Sequence, residues 1–202
     1  MIATVARGRQ TLRLFVALLI PQTVRREIAK VQAVLKELPP ANAMRWTPPE
    51  QFHLTLKFLG AVPSPAVADL TAALARACAG VVPFRVTARG IGFFPHVRSP
   101  RVAWIGLESA GIILADLRQR VEQAAAPFGK RTESQKFAPH ATLGRFKRMN
   151  RCDLKKFLDA VIPFRDRNFG EWQAREIFLM RSQLSSSGSR HVALSSFPLD
   201  AK

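Results

Sequence analysis

Hydrophobic positions along the chain recur with two periods, and these periods alternate from one end of the sequence to the other. The run from Leu12 to Ile20 is almost continuously apolar, which predicts a short buried strand. From Thr23 onwards apolar residues recur every three or four positions until Pro39 and Pro40, which predicts a helix that ends at the prolines. A strand followed by a helix is the first unit of an alternating pattern.

In the segment from Phe52 to Leu59 the apolar Phe52, Leu54, Leu56 and Phe58 alternate with polar side chains. In a strand successive side chains point to opposite faces, so this alternation predicts one buried face and one open face. We expect the apolar set to face the core. The polar set would share one opening and consists of His53, Thr55 and Lys57.

The middle of the chain predicts a second helix and a hairpin. Ser64 followed by Pro65 is typical of a helix N-cap and first helical position, and Gly80 marks the end of that helix. Two strands are then expected at Phe84–Ala88 and Arg101–Leu107, joined by a loop that is rich in glycine and proline.

The second half of the chain repeats this order of elements. It predicts a helix that begins near Ile113, a strand at 140–146, a helix at 153–161, one long strand at 174–184 and a closing strand after a turn at 187–189. The repetition suggests two lobes of similar build, although the internal duplication is weak. No linker separates them, so we expect one compact domain at 12–202 after a basic N-terminal tail at 1–11.

One tetrapeptide pattern, His-x-Thr-Leu, occurs twice, on the predicted strands at 52–59 and 140–146. It begins at His53 and again at His140, and it places Thr55 and Thr142 two residues later. Residues i and i+2 of a strand share a face, so each copy presents an imidazole together with a hydroxyl. Two such strands face to face would put two imidazoles on either side of a bound group, which suits acid–base attack on a phosphodiester.

Composition and charge support a polyanionic substrate. The 202 residues include 31 Lys plus Arg against 14 Asp plus Glu, for a net charge of +17. Such a field concentrates polyanions, of which nucleic acid is the first candidate, although a basic surface without a partner remains an alternative. Cys78 and Cys152 have no metal-type spacing, so we expect free thiols in a reducing compartment, the cytoplasm. Arg13 interrupts the first apolar run, which is too short to span a bilayer.

Five segments of the sequence resemble one family. They are RLFVALLIP, RWTPPEQFHLTLKFLG, RVAWIGL, FAPHATLGRF and FPL, and they extend from Arg13 to Leu199. All five are similar to the bacterial and archaeal 2'-5' RNA ligases, also called RNA 2',3'-cyclic phosphodiesterases, of the two-histidine phosphoesterase superfamily. A single His-x-Thr would have no weight, whereas two copies in the right order and context are specific.

The resemblance implies a bilobal α+β fold, with two antiparallel sheets flanked by helices and a central cleft. It implies that His53 and His140 are catalytic and that Thr55 and Thr142 bind phosphate. Arg145 corresponds to a further phosphate-binding residue of the family. In an ideal strand Arg145 would face away from His140, so it reaches the cleft only if a bulge or bend occurs near Gly144, and a structural ion pair is the alternative.

The resemblance also implies an activity. The substrate would be RNA with a 2',3'-cyclic phosphate end, such as a tRNA fragment, hydrolysed to a 2'-phosphate by a monomeric enzyme without cofactor or metal. We expect His53 to protonate the 3' oxygen and His140 to activate water, and the reverse reaction would make a 2'-5' bond. The family usually has tyrosine where this chain has His191, so the role of that position is open.

Two alternatives remain at this point. A catalytically idle RNA-binding protein could use the same basic cleft, whereas a metallophosphoesterase is disfavoured because no histidine and carboxylate cluster has ligand spacing. RNA would stack on aromatic side chains, of which Trp46 is preferred over a buried Trp104. The remaining stacking candidates are Phe15, Phe94 and Phe146, and the basic run that would track a phosphate backbone is Arg145, Lys147, Arg148 and Arg151.

Overall fold

Two antiparallel sheets and four helices form the described part of the chain, residues 10–38, 40, 43–129, 137–185 and 188–200 of a computed structural model. The α+β class with two antiparallel sheets is therefore confirmed. The expected N-terminal tail lies almost entirely outside the described residues, and β1 begins at Thr11. The turn expected at 187–189 also begins outside them.

The element order follows the predicted alternation. The helices are α1 (Gln22–Lys36), α2 (Val67–Cys78), α3 (Ile113–Ala125) and α4 (Arg151–Val161). The strands are β1 (Thr11–Leu19), β2 (Met44–Trp46), β3 (His53–Pro63), β4 (Phe84–Phe94), β5 (Val102–Ser109), β6 (His140–Phe146), β7 (Asn168–Ala174), β8 (Glu176–Ser185) and β9 (Gly188–Pro198).

Each sheet carries one copy of the motif. The strand order is β3-β1-β8-β9 in the first sheet and β2-β6-β5-β4-β7 in the second. Helix α1 leaves the first sheet and packs against β7 of the second, whereas α3 leaves the second sheet and packs against β3 of the first. This exchange joins the two sheets through one continuous hydrophobic core. The motif strands β3 and β6 both pack against this core.

One strand was not predicted and one local prediction was wrong. The long strand expected at 174–184 is present as β8, whereas β7, which pairs with β4 at the edge of the second sheet, was missed. Ser64 does not cap α2, since its hydroxyl donates to the carbonyl of Gln10 at 2.7 Å and a turn of 3-10 helix precedes Val67. The hairpin prediction is confirmed, although β4 extends to Phe94 and therefore includes Gly90 and Gly92, which were expected in the loop.

A bulge in β3 reverses the facing of the residues that follow the first motif. Val16 pairs with Lys57 whereas Ala17 pairs with Thr55, so the register shifts by one residue at Leu56. Lys57 is consequently 2% exposed, and its Nζ lies 2.5 Å from the carboxylate of Glu122 on α3. The prediction that Lys57 shares the face of His53 was therefore wrong, and it is Phe58, 66% exposed, that turns outwards.

A matching bulge occurs in β6 after the second motif. Ala103 pairs with Gly144 whereas Trp104 pairs with Thr142, which leaves Leu143 as the extra residue. Leu143 and Gly144 are both buried, and Arg145 is exposed on the side of His140 and Thr142. This irregularity is the one that Arg145 requires in order to reach the cleft.

Gln32 of α1 is a buried polar residue that holds this bulge. Its Nε2 donates to the carbonyl of Thr47 at 2.7 Å and to that of Leu143 at 3.0 Å. The Leu143 carbonyl also accepts the backbone N–H of Thr47 at 2.9 Å. Helix α1, which follows β1 of the first sheet, therefore holds the second motif strand through hydrogen bonds as well as apolar packing.

Replacing Gln32 by leucine is expected to destabilise the protein by about 1–3 kcal/mol, because two carbonyls lose a buried donor. Urea denaturation measures this change. The matched control is Gln119→Leu on the exposed face of α3, for which we expect a change within about 0.5 kcal/mol. Equal unfolding free energies for the two variants would contradict the prediction.

Candidate active site

The first motif fixes both the orientation and the tautomer of His53. Its Nδ1 donates to the carbonyl of Gln51 at 2.6 Å, so Nε2 carries no proton in the neutral ring. The hydroxyl of Thr55 lies 3.1 Å from that Nε2. An imidazole held in this way offers Nε2 for proton transfer, beside a hydroxyl that can donate to an anion.

The second motif repeats this geometry. His140 Nδ1 donates to the carbonyl of Ala138 at 2.8 Å, which again leaves Nε2 as the reactive nitrogen. Thr142, two residues further along β6, is half-buried on the same side. The two copies therefore present chemically equivalent groups on two different sheets.

The charge of the second imidazole affects the first. Strands β3 and β6 are neighbours across the junction of the sheets, and the charge of His140 contributes to lowering the pKa of His53. Arg145 in turn contributes to lowering the pKa of His140. The charges of His140 on His53 and of Arg145 on His140 agree with the predicted site, and a cleft shared by all three residues stays a prediction.

Burial is the main cause of both pKa changes. It lowers the pKa of His53 from 6.5 to about 4, against the opposing effect of the hydrogen bond to Gln51 and with smaller contributions from His191 and His140. Burial likewise lowers the pKa of His140, where the carbonyl of Ala138 opposes it and the charge of Arg145 adds to it. Both rings are therefore neutral near pH 7 in the free protein.

The low pKa of His53 predicts that acid destabilises the fold. An unfolded histidine titrates near 6.5, so between about pH 6.5 and about pH 4 the unfolded chain binds a proton that the folded chain does not. The free energy of unfolding is thus fully present above that window and falls as the pH is lowered through it. The decrease from this residue is at most about 3 kcal/mol.

Urea denaturation near pH 7 and near pH 4.5 measures this effect. Other groups also titrate in the interval, so the informative quantity is the difference between the wild-type protein and His53→Ala. We expect the variant to lose less stability on acidification than the wild type. Parallel losses in the two proteins would show that His53 is not the group responsible.

A third histidine lies beside the first. His191 on β9 has its ring 5.3 Å from the ring of His53 and 4.9 Å from that of Phe15. Sequence reasoning assigns His191 no role, and the only signal for one is its correspondence to the tyrosine of the family. Burial lowers the pKa of His191, and its charge contributes to lowering that of His53.

Replacing His191 by tyrosine is expected to raise the pKa of His53, because an imidazolium neighbour is exchanged for a group that is neutral below pH 10. An NMR titration of the His53 ring measures this shift. His191→Asn separates charge from ring size and should move the pKa in the same direction. A pKa of His53 that stays constant in both variants would contradict the prediction.

Aromatic side chains surround the second imidazole. The ring of Phe94 lies 4.8 Å from that of His140, and Trp104 lies at 6.2 Å. Trp104 packs across Gly92, where a Cβ would approach its ring to 2.2 Å, so only glycine fits at that position. Phe94 and Trp104 are both half-buried and are therefore the aromatic residues placed to contact a ligand at His140.

Trp46, the preferred stacking residue, lies away from these two rings. Trp46 and Phe146 are half-buried, and their rings lie 6.3 and 5.5 Å from that of the buried Phe157 on α4, so stacking by Trp46 stays a prediction. Phe15 is only 4% exposed and packs on His53, so it supports the imidazole and cannot stack a base.

The described residues contain no group of three or more His, Cys, Asp or Glu that could hold a metal ion. Within the same residues, none of the helices has the length and apolar character needed to cross a membrane.

Comparison with known sequences identifies the family. The sequence model of the family described as LigT like Phosphoesterase matches the chain twice, at residues 18–104 and 105–191, and each match contains one His-x-Thr-Leu. The chain therefore belongs to the LigT-like phosphoesterase family. The double match agrees with the two similar lobes inferred from the order of elements.

Individual relatives cover most of the chain. An RNA 2',3'-cyclic phosphodiesterase of Archaeoglobus fulgidus is 34% identical over 88% of this chain and 94% of its own length. A protein with the same description from Thermus thermophilus is 33% identical over 93% of this chain and 90% of its own. The expected enzyme class is confirmed by these similarities.

Solved structures agree with the fold. The crystal structure of Escherichia coli LigT complexed with 3'-AMP superimposes with a TM-score of 0.74 at 26% identity, covering 94% of this chain and 99% of that one. A crystal structure of a Thermus thermophilus protein gives a TM-score of 0.72 at 29% identity, covering 93% of this chain and 98% of that one.

Proposed function

We propose that this protein hydrolyses 2',3'-cyclic phosphate ends of RNA to 2'-phosphate ends, with His53 as the general acid and His140 as the general base. The single observation that supports the assignment most directly is the duplicated geometry of the motifs. In both, a backbone carbonyl holds Nδ1–H and leaves Nε2 available on the side of the strand that carries a threonine hydroxyl.

Ring opening requires one proton to leave the attacking water and one to reach the departing ribose oxygen. His140 Nε2 takes the proton from water as the oxygen forms its bond to phosphorus. On the opposite side, His53 delivers a proton to the 3' oxygen as the P–O3' bond breaks. Atoms and charge balance, because the base ends protonated, the acid ends neutral, and solvent exchange restores both.

As the general acid, His53 must carry a proton on Nε2, but in the free protein its ring is neutral near pH 7. A phosphate anion beside His53 stabilises the imidazolium, so binding of the substrate raises the pKa of His53 from its low value. His140 has its pKa lowered by burial and is already in the neutral form that a base requires. The catalytic protonation state is thus completed when the cyclic phosphate enters.

The non-bridging oxygens of phosphorus gain charge in the transition state. The hydroxyls of Thr55 and Thr142 donate to them from either side, and the guanidinium of Arg145 supplies a full positive charge. Arg145 makes no ion pair with any residue in the described ranges, so its charge is not neutralised by a neighbouring carboxylate. This favours a phosphate-binding role over the structural alternative.

The same groups suit ligation. A 5'-hydroxyl of a second RNA can replace water as the attacking group: His140 takes its proton, the P–O3' bond breaks with a proton from His53, and a 2'-5' bond and a free 3'-hydroxyl result. In the cell the substrates would be RNA fragments with cyclic ends, such as tRNA fragments, and the enzyme would act as a monomer in the cytoplasm.

The test is to incubate the purified protein with a nucleoside 2',3'-cyclic phosphate and to separate the products against authentic 2'- and 3'-phosphates. We expect the 2'-phosphate alone, at a rate unchanged by EDTA. A 3'-phosphate product would reverse the assignment of the leaving oxygen. Turnover that EDTA abolishes would favour the metal-dependent alternative.

A further inference from the structure

A basic recess lies at the end of β6, away from the paired imidazoles. It has a volume of about 640 Å³ and is formed by the loop between β4 and β5 on one side and by the start of α4 on the other. Its polar lining comes from Arg98, Ser99, Lys147, Arg148, Asn150 and Asp153.

Charge in the recess is strongly one-sided. Asp153 is its only carboxylate, and one oxygen of that group accepts a hydrogen bond from Asn150 at 2.8 Å. Arg98, Lys147 and Arg148 are exposed and form no ion pair within the described ranges of the chain. Arg101 and Arg151 stand immediately beside the lining residues in sequence and are also exposed. The lining of the recess therefore carries an excess of positive charge.

Both walls of the recess continue from residues at the candidate active site. Phe94, whose ring contacts His140 at 4.8 Å, is the last residue of β4 and leads directly into the loop that carries Arg98. On the other wall, Arg145 acts electrostatically on His140 and stands two residues before Lys147. Exposed cations thus occur both beside the candidate active site, at Arg145, and in the recess, at Lys147 and Arg148.

The length of this path decides what can occupy the recess. A strand rises about 3.3 Å per residue, so the end of β6 at Phe146 lies roughly 20 Å from His140, and Lys147 follows it. The terminal nucleotide with its cyclic phosphate cannot reach that far. Nucleotides further along the same strand can, since single-stranded sites commonly extend over about 4–16 nucleotides.

We propose that this recess binds the sugar–phosphate backbone of the RNA strand on the 5' side of the cyclic phosphate end. This inference rests on the proposed function, because a 2',3'-cyclic end leaves the 5' side as the only direction in which the strand continues. Arg98, Lys147 and Arg148 neutralise successive phosphates, and the recess makes the enzyme prefer a polynucleotide over a mononucleotide.

The test uses two substrates and two triple variants. The substrates are a mononucleoside 2',3'-cyclic phosphate and an oligoribonucleotide of about ten residues with the same end. The recess variant combines Arg98→Ala, Lys147→Ala and Arg148→Ala. The charge-matched control combines Arg76→Ala, Arg85→Ala and Arg120→Ala, three exposed cations on α2, β4 and α3 that do not line the recess.

We expect the recess variant to lower kcat/KM for the oligonucleotide by about 10- to 100-fold and to leave that for the mononucleotide unchanged. The dependence of log kcat/KM for the oligonucleotide on log salt should become shallower by about 2, since each of three single-strand phosphates contributes about 0.7. The control variant should show neither a comparable loss nor a comparable change of slope.

Equal losses for the two substrates, or no loss for either, would overturn the proposal. Failure of the proposed function is a separate outcome, recognised when the wild-type protein turns over neither substrate. In that case binding of a fluorescent oligoribonucleotide by anisotropy still tests the recess. Equal affinity of the wild type and the recess variant, or capture of acidic peptides in preference to RNA, would refute it.

Discussion

His53→Ala and His140→Ala should each lower kcat for a mononucleoside 2',3'-cyclic phosphate by about 10²- to 10⁴-fold. A positioned acid or base contributes a factor of this size, and each substitution removes the nitrogen that transfers the proton. The loss should fall on kcat more than on KM, since both threonines and Arg145 still hold the phosphate. Initial rates over a range of substrate concentrations separate the two parameters.

The matched control for these variants is His96→Ala. His96 is exposed and lies in the loop between β4 and β5, outside both motif strands. We expect its kcat to equal that of the wild type. If His53→Ala and His140→Ala keep full RNA binding while the wild-type protein itself shows no turnover, the non-catalytic RNA-binding alternative is correct.

Arg145→Ala should lower kcat/KM for the mononucleotide by about 10- to 100-fold. Loss of a charge-assisted hydrogen bond to a phosphate oxygen costs about 1.5–3 kcal/mol, and this loss is felt most where negative charge increases. Arg145→Lys should recover part of the activity. It restores the positive charge but not the bidentate hydrogen bonding of the guanidinium.

Removing Arg145 should also raise the pKa of His140, because its positive charge opposes protonation of that ring. An NMR titration of the His140 ring should show this increase in Arg145→Ala. Arg76→Ala, on helix α2, serves as the control and should leave both the rate and the His140 titration unchanged. An Arg145→Ala enzyme with wild-type kcat/KM would return Arg145 to a structural role.

The two bulges explain where strand alternation succeeded and where it failed. Alternation places His53 and Thr55 correctly, because both precede the bulge at Leu56. It places Lys57 and Phe58 on the wrong faces, because both follow it. In β6 the equivalent bulge at Leu143 turns Arg145 to the side of His140 and Thr142. That is the side on which a phosphate-binding residue is needed.

His191 shows a second limit of reasoning from the sequence, which is that it does not reveal contacts between distant strands. No spacing pattern links it to His53, since the two residues are far apart in the chain and belong to β9 and β3. They meet although β1 and β8 lie between those strands in the sheet, and Phe15 of β1 packs against both rings. The substitution of tyrosine by histidine was visible in the sequence, whereas its contact was not.

The sequence by itself determined the order of strands and helices, the two motif strands and the chemical groups on them, because hydrophobic period and i, i+2 spacing are properties of a single segment. Only the tertiary structure decided which way Lys57 and Arg145 face and that His191 contacts His53. A strand shifts register in response to the partner with which it pairs, and the buried amide of Gln32 holds one such shift from a helix at a separation of 111 residues. Such effects depend on contacts between distant segments, which local periodicity does not contain.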